Sequence, residues 1–277
     1  MPDLSTILSR VGFHAVYEKS VKKAIDLACE HGFSSVQIEC SMPQFFPEKY
    51  SVKAREKIRH YAKIKSITLK VHAPGEDFSL QTLHNSVQRA IVERLKEVVD
   101  FSSDIGEKLV TIHPGTLPAF TIPGRGQIPI DVQYPRLHFQ SLRVALKELA
   151  DYSEGRTILC VENSPFTNVI KRVLSETLNG GRIYLAWDLA KMYRRDGKVI
   201  TDVEGFFLRH LAKVRECHLH DLTEETGHQI IGEGFVDFKR YLSLLCDHDV
   251  EYTIEVRPVQ NAVKSLRTLR EILEQSA

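Results

Sequence analysis

The chain has 277 residues, 43% of them hydrophobic and 26% charged, with 15 Gly and 11 Pro. That composition excludes collagen-like, low-complexity and disordered chains, and the length allows a core that needs no disulfide or metal staple. Lys and Arg total 37 against 36 Asp and Glu, a formal charge of +1, so no global field points to a polyanionic partner. Five cysteines (Cys29, Cys40, Cys160, Cys217, Cys246) make an odd count with no C-x-x-C, which suits free thiols in a reducing compartment better than a disulfide framework. The first ten residues lack a basic stretch followed by an apolar one, and no window approaches about 18 uninterrupted apolar residues. The expectation is a cytoplasmic protein without membrane contact.

In chain order, short apolar runs alternate with longer segments of helical period. Val11–Val16 reads as a strand. It is followed by a helix over Ser20–His31, whose stripe of Ala24, Ile25, Leu27 and Ala28 stops at Gly32. The next strands are Ser35–Glu39, Thr68–His72, Leu109–His113, Thr157–Glu162, Ile183–Asp188, Arg215–His220 and Tyr252–Val256. Helical segments fall near Val52–Lys65, Leu83–Ile105, Arg136–Ser153, Val169–Leu178, Val203–Ala212, Phe238–Asp247 and Ala262–Glu274. Eight such units in one chain match an α/β fold, the (β/α)₈ TIM barrel of about 250 residues, read as a single domain over 1–277. A doubly wound sheet would carry a glycine-rich phosphate turn after the first strand, but Val16 runs into Tyr17-Glu18-Lys19 with no G-x-G-x-x-G. The long segment 114–134, between the fourth strand and the fourth barrel helix, carries Gly115, Pro118, Pro123, Gly124, Gly126 and Pro129. It reads as a shaped, irregular loop over the barrel mouth, with Arg125 as a candidate substrate contact.

From the third strand onward, each strand ends on a potential metal ligand. His72 precedes Ala73-Pro74, His113 precedes Pro114-Gly115, and Glu162 precedes Asn163. Asp188 follows Trp187, His218 and His220 flank Leu219, and Glu255 follows Ile254. One histidine at a strand end is ordinarily a hydrogen-bonded structural residue. Six successive ends drawn from His, Asp and Glu, converging on one barrel mouth, point to a metal centre. Imidazole with carboxylate suits Zn²⁺, Mn²⁺ or Co²⁺, and the absence of Cys from these ends argues against a thiolate structural zinc site.

The phrases "VHAP", "IHPGT", "CVEN", "AWDLAK", "HLHD", "IIGEG" and "IEVRP", in this order from the third strand to the end, resemble the xylose isomerase-like barrel superfamily of sugar isomerases, sugar epimerases and endonuclease IV. The resemblance implies a divalent ion held by Glu162, Asp188, a histidine of the seventh strand, and Glu255. His218 is preferred because His218-x-x-Asp221 matches the family spacing, whereas the epimerases use the second histidine of H-x-H, which here is His220. Strand alternation points both inward. The three-zinc site of endonuclease IV would add His72 and His113, and its histidine before "GEG" corresponds to His228. The remaining ligands of that third zinc are replaced by Lys191 and Thr226. A lysine ammonium cannot ligate without losing its proton and a Thr hydroxyl is a poor zinc donor, so no third ion is expected. Where endonuclease IV carries a DNA wedge, this chain has Gly75-Glu76-Asp77, whose acidic groups would repel phosphate. Arg55, Arg59 and Lys63 are spaced as a solvated helix face.

The leading expectation is a divalent-metal isomerase or epimerase of a sugar or sugar phosphate, with one or two Zn or Mn ions per chain. Glu162 and Glu255 would be catalytic. Lys191, His220, His228, Arg257 and Arg125 would contact a small-molecule substrate, with Lys191, helped by Arg194 or Arg195, holding an oxyanion or phosphate. Any second ion would sit at His72 and His113, bridged by Glu162. The alternative is an apurinic-endonuclease-type phosphodiesterase with two metals and DNA as partner, and a non-catalytic binding barrel is the least expected. A homo-oligomer is compatible with the sequence.

Overall fold

The computed structural model describes residues 5–75, 77–106 and 109–274; Glu76 of the acidic turn lies outside them. The chain begins with a short helix α1 (Ser5–Leu8) and the strand β1 (Val11–Ala15). After β1 come α2 (Val21–His31), β2 (Ser35–Glu39), α3 (Val52–Ile64), β3 (Thr68–His72), α4 (Asn85–Asp104) and β4 (Leu109–Ile112). A hairpin of β5 (Ala119–Ile122) and β6 (Gly126–Pro129), then α5 (Ile130–Gln133), separates β4 from α6 (Pro135–Ser153). The second half runs β7 (Ile158–Glu162), α7 (Asn168–Thr177), β8 (Ile183–Asp188), α8 (Thr201–Arg209), β9 (Val214–Leu219), α9 (Phe238–Leu245), β10 (Glu251–Ile254) and α10 (Val259–Glu274).

Eight of these strands close into a parallel barrel in the order β1-β10-β9-β8-β7-β4-β3-β2, so the expected (β/α)₈ architecture is the one formed. Local chemistry sets the helix ends. Ser20, Thr167 and Asp237 accept hydrogen bonds from Lys23, Ile170 and Arg240 backbone N–H groups, and Gly32 ends α2 at φ 75°, a left-handed conformation that glycine adopts without a Cβ clash. Val21, Ala24, Ile25 and Ala28 of α2 are buried, giving the helix one apolar face against the sheet. On β8 the buried Trp187 stacks on Phe207 of α8 with ring centroids 4.9 Å apart. Helix and strand are thereby locked on the outside of the barrel while alternate residues of β8 point inward. Among the described residues no helix is long and apolar enough to cross a membrane, and all five cysteines are free thiols.

The segment 114–134 departs from the irregular loop expected of it. Phe120, Ile122 and Ile128 alternate with Thr121 and Gln127, and β5 pairs antiparallel with β6 around Pro123-Gly124-Arg125. Positive φ at Gly124 and Gly126 lets the chain reverse there. Proline and glycine thus mark the turn and ends of a short hairpin instead of preventing regular structure.

Candidate metal centre

Because side chains alternate along a strand, residues two apart share the barrel interior. The interior position nearest the C-terminal mouth is His14 on β1, Glu39 on β2, His72 on β3, His113 just past β4, and Glu162 on β7. The set continues with Asp188 on β8, His218 on β9 and Glu255 just past β10. All eight are imidazoles or carboxylates, and all except His113 are buried. Six of them were expected from the sequence. His14 and Glu39 were not, although the strand-end rule reaches them when it is extended to β1 and β2.

Glu162 lies at the centre. Its Oε2 is 3.3 Å from His72 Nε2, 3.0 Å from His113 Nε2 and 3.3 Å from His218 Nδ1, and its Oε1 accepts from the Lys191 ammonium. Lys191 Nζ also lies 3.1 Å from Asp188 Oδ2. Glu255 Oε1 is 3.3 Å from the other side of His218 Nδ1. Burial opposes ionisation of Glu162, but Lys191, His113 and His218 overcome it and hold the carboxyl well below its usual range. Burial likewise opposes ionisation of Glu255 and Asp188. His218 and His14 outweigh it for Glu255, as do His220 and Lys191 for Asp188. Without a metal, the imidazoles supply the balancing charge. Burial disfavours the His218 imidazolium, yet Glu255, Glu162 and Glu216 raise its pKa well above 6.5. For His72, Glu39 and Glu162 outweigh burial and push the value up to about 10.

Glu39 and His14 form one wall of the site. Glu39 Oε2 lies 3.0 Å from His14 Nε2 and 3.2 Å from His72 Nδ1, and its Oε1 accepts from Ser41 N at 2.8 Å. His14 Nδ1 faces Glu255 Oε1 at 3.3 Å and the Arg257 guanidinium at 2.5 Å. A histidine fixed by a carboxylate on one ring nitrogen presents the other in a defined direction. Here Glu39 aims His72 Nε2 at Glu162. Arg257, expected to contact substrate directly, stands behind His14 and Glu255.

On the opposite wall His220 Nε2 is 3.2 Å from Asp188 Oδ2, while His220 Nδ1 receives the backbone N–H of His228 at 3.0 Å. The His228 ring stacks on His220 with centroids 4.2 Å apart, and its Nε2 is 3.7 Å from Glu255 Oε2. The loop carrying His228 is organised by Asp221, whose carboxylate accepts backbone N–H bonds from Leu222, Gly232, Gly234 and Val236 at 2.9–3.0 Å. Gly234 must be glycine for this, since a Cβ there would stand 2.2 Å from the Leu222 carbonyl oxygen. Four residues stay apart from the centre. Arg125 is exposed in the hairpin turn, its backbone N–H bonding the Ile122 carbonyl at 2.9 Å, and Arg194 and Arg195 are exposed beyond the buried Met192. Thr226 is exposed and bonds within its own loop.

The donor set fits a divalent ion. Glu162, Asp188 and Glu255 carry three negative charges against one Lys191 ammonium, an excess of two that a single divalent ion neutralises when the imidazoles are neutral. His218 Nδ1 is fully buried without a hydrogen-bond partner of adequate geometry, and it faces two carboxylate oxygens. Ligand atoms of Asp188, His218 and Glu255, and of His72, Glu162 and His218, lie within 4.8 Å of one another. Fold and site together define a parallel (β/α)₈ barrel whose mouth can hold a divalent ion among histidines and carboxylates. The chain belongs to the xylose isomerase-like TIM barrel family, whose sequence model matches residues 25–272. It is similar to a D-tagatose 3-epimerase-like protein (TM-score 0.74, 20% identity, 96% of this chain and 97% of that one). It is also similar to the 3-keto-D-glucoside 4-epimerase of E. coli (TM-score 0.71, 14% identity, 95% and 99%). An uncharacterized protein of Methanocaldococcus jannaschii is 22% identical over 268 residues, covering 92% of this chain and 86% of that protein.

Proposed function

We propose that the chain is a divalent-metal-dependent isomerase or epimerase of a sugar or sugar phosphate, with Zn²⁺ or Mn²⁺ held by Glu162, Asp188, His218 and Glu255. The observation that carries this reading is the buried His218 Nδ1 set between two ionised glutamates, Glu162 and Glu255, each 3.3 Å away. Glu162, Asp188, His218 and Glu255 would hold an ion whose Lewis acidity would act on substrate oxygens and acidify the adjacent C–H. Glu162 and Glu255 would stand on two sides of that carbon: one, as the carboxylate, would take the proton, and the other would return one after gaining it from a substrate hydroxyl or solvent. The Lys191 ammonium, which bonds Glu162 and Asp188, holds a substrate oxyanion or phosphate. His220 and His228 line one wall, Arg257 backs His14 on the other, and Arg125 reaches substrate only if the hairpin folds over the mouth. Solved neighbours that are sugar epimerases support the reading through their shared fold. His72, His113 and Glu162 would hold any second ion more weakly, because neutral imidazoles offset less charge than carboxylates do.

The test combines elemental analysis of protein purified without added metal with turnover of a panel of ketoses and ketose phosphates. Metal-dependent epimerisation or isomerisation, lost on chelation and restored by Mn²⁺ or Zn²⁺, is expected. Nicking of abasic DNA without turnover of any sugar would replace the proposal with a phosphodiesterase, the other chemistry these ligands could serve.

A further inference from the structure

Beneath the proposed metal ligands the barrel interior holds a polar cluster where aliphatic packing is usual. Glu216 of β9 and Lys70 of β3 are both fully buried and lie 3.4 Å apart. Gln37 of β2 donates from Nε2 to both Glu216 oxygens at 3.0 Å. Thr253 of β10 donates to Glu216 at 2.8 Å and accepts from Lys70 at 2.6 Å, and Thr111 of β4 also donates to Glu216. Such a cluster is costly to bury and is tolerated when its donors and acceptors are matched. His218 Nε2 adjoins it, 3.4 Å from Glu216 Oε2.

The donors account for the position of a proton. Gln37 Nε2 lies 3.3 Å from His218 Nε2, and nearer, at 3.0 Å, to both Glu216 oxygens. The Thr111 and Thr253 hydroxyls are spent on the same carboxylate, and Lys70 donates to Thr253 and to the Tyr252 carbonyl. Two groups face His218 Nε2, and the charged Glu216 carboxylate at 3.4 Å is the stronger partner, because the Gln37 amide is already engaged by that carboxylate. Nε2 therefore keeps a hydrogen, and Nδ1, the atom between Glu162 and Glu255, is the nitrogen whose proton an ion would displace. We infer that Glu216, held by Gln37, Thr111, Thr253 and Lys70 in the barrel interior, is a positioning residue that makes His218 Nδ1 the metal-ligating nitrogen. His220 contrasts with this arrangement: its Nδ1 has both the His228 N–H at 3.0 Å and the Asp221 carbonyl oxygen at 3.1 Å as partners, and its Nε2 faces Asp188 at 3.2 Å, so neither ring nitrogen is left unpaired. The inference rests on the metal reading above and assigns the part played in it by the core beneath the site. Lys70 neutralises Glu216, so the cluster orients His218 without adding net charge.

The experiment loads the full chain, with ¹⁵N-labelled histidine, with ¹¹³Cd²⁺ and reads metal–nitrogen couplings by NMR. It also titrates Co²⁺ into wild type and Glu216→Gln, following the visible absorption of the bound ion. The expected result is coupling to His218 Nδ1 with the Nε2 hydrogen retained, and Co²⁺ affinity about 10–100-fold weaker in Glu216→Gln, with a changed cobalt spectrum. Glu216→Asp, which keeps the acceptor, should recover part of the loss. Coupling through His218 Nε2, coupling to His220 in place of His218, or equal affinity and spectrum in Glu216→Gln would overturn the inference while leaving the metal reading standing. A wild type that retains no Cd²⁺ or Co²⁺ would overturn both. Since the coupling is read on wild type, a poorly folding variant does not shield the inference.

Discussion

At the scale of single residues, Glu162 and Glu255 combine complete burial of charge with a dense set of cationic or protonatable partners. Replacing either by Gln preserves shape and removes the proposed base, so kcat for the proposed sugar reaction should fall about 10²–10⁴-fold while the circular dichroism spectrum stays that of the wild type. Turnover at the wild-type rate by either variant would remove both from the mechanism. His72 gives a pH signature in the metal-free protein. Its pKa is raised from 6.5 to about 10, so its contribution to stability is fully present below pH 6.5 and is lost as pH climbs through about 10. His14, shifted downward by burial, acts below that window and does not mask it. The metal-free Tm should therefore fall between pH 6.5 and 10, with a shallower fall in His72→Gln; a Tm that is flat or rising in wild type would show that Glu39 and Glu162 do not hold that proton.

At the scale of elements, the segment from Asp221 to Val236 is a loop built on one carboxylate. Four backbone donors converge on Asp221, and the loop they close places the His228 ring over His220. Asp221→Ala leaves those donors without their charged acceptor and should cost about 3 kcal/mol. Amide exchange at Gly232, Gly234 and Val236 should speed up while exchange in β1 and β2 stays slow. Unchanged protection at those three amides would show that the loop is held by other contacts. The hairpin after β4 teaches a different lesson about legibility. Its alternation of Phe120, Ile122 and Ile128 with Thr121 and Gln127 is present in the sequence, but four-residue strands between prolines fall at the lower limit where periodicity is decisive.

For the molecule as a whole, the mouth carries more negative charge than its fixed cations balance, so the metal-free and metal-bound proteins should differ in stability. Mn²⁺ or Zn²⁺ at a thousandfold excess over its Kd should stabilise the fold by about 4 kcal/mol, raising Tm by roughly 10 °C for a chain of this size. The increment should shrink as pH falls, because the ion must displace protons from His218 and His72. A melting temperature insensitive to every divalent ion would mean that the cluster at the mouth is a purely structural network.

The sequence by itself determined the barrel and most of its mouth. Eight apolar runs, each followed by a segment of helical period, leave few other folds, and a His, Asp or Glu at a strand's C-terminal end falls at the mouth through alternation alone. Only the tertiary structure decided how those residues divide their work. Lys191 reads in sequence as one of several basic residues of a loop, and it is the closed barrel that brings its ammonium between Glu162 and Asp188 while Arg194 and Arg195 stay at the surface. His218 and His220 are equivalent by alternation. They are distinguished by a carboxylate from below for one and a backbone N–H from the neighbouring loop for the other. Lys70 and Glu216 are 146 positions apart in the chain and meet only across the barrel interior. The reason is common to all three cases: local pattern fixes which way a side chain points, whereas hydrogen-bond partners and electrostatic environment are set by strands that are distant in sequence and adjacent only once the barrel has closed.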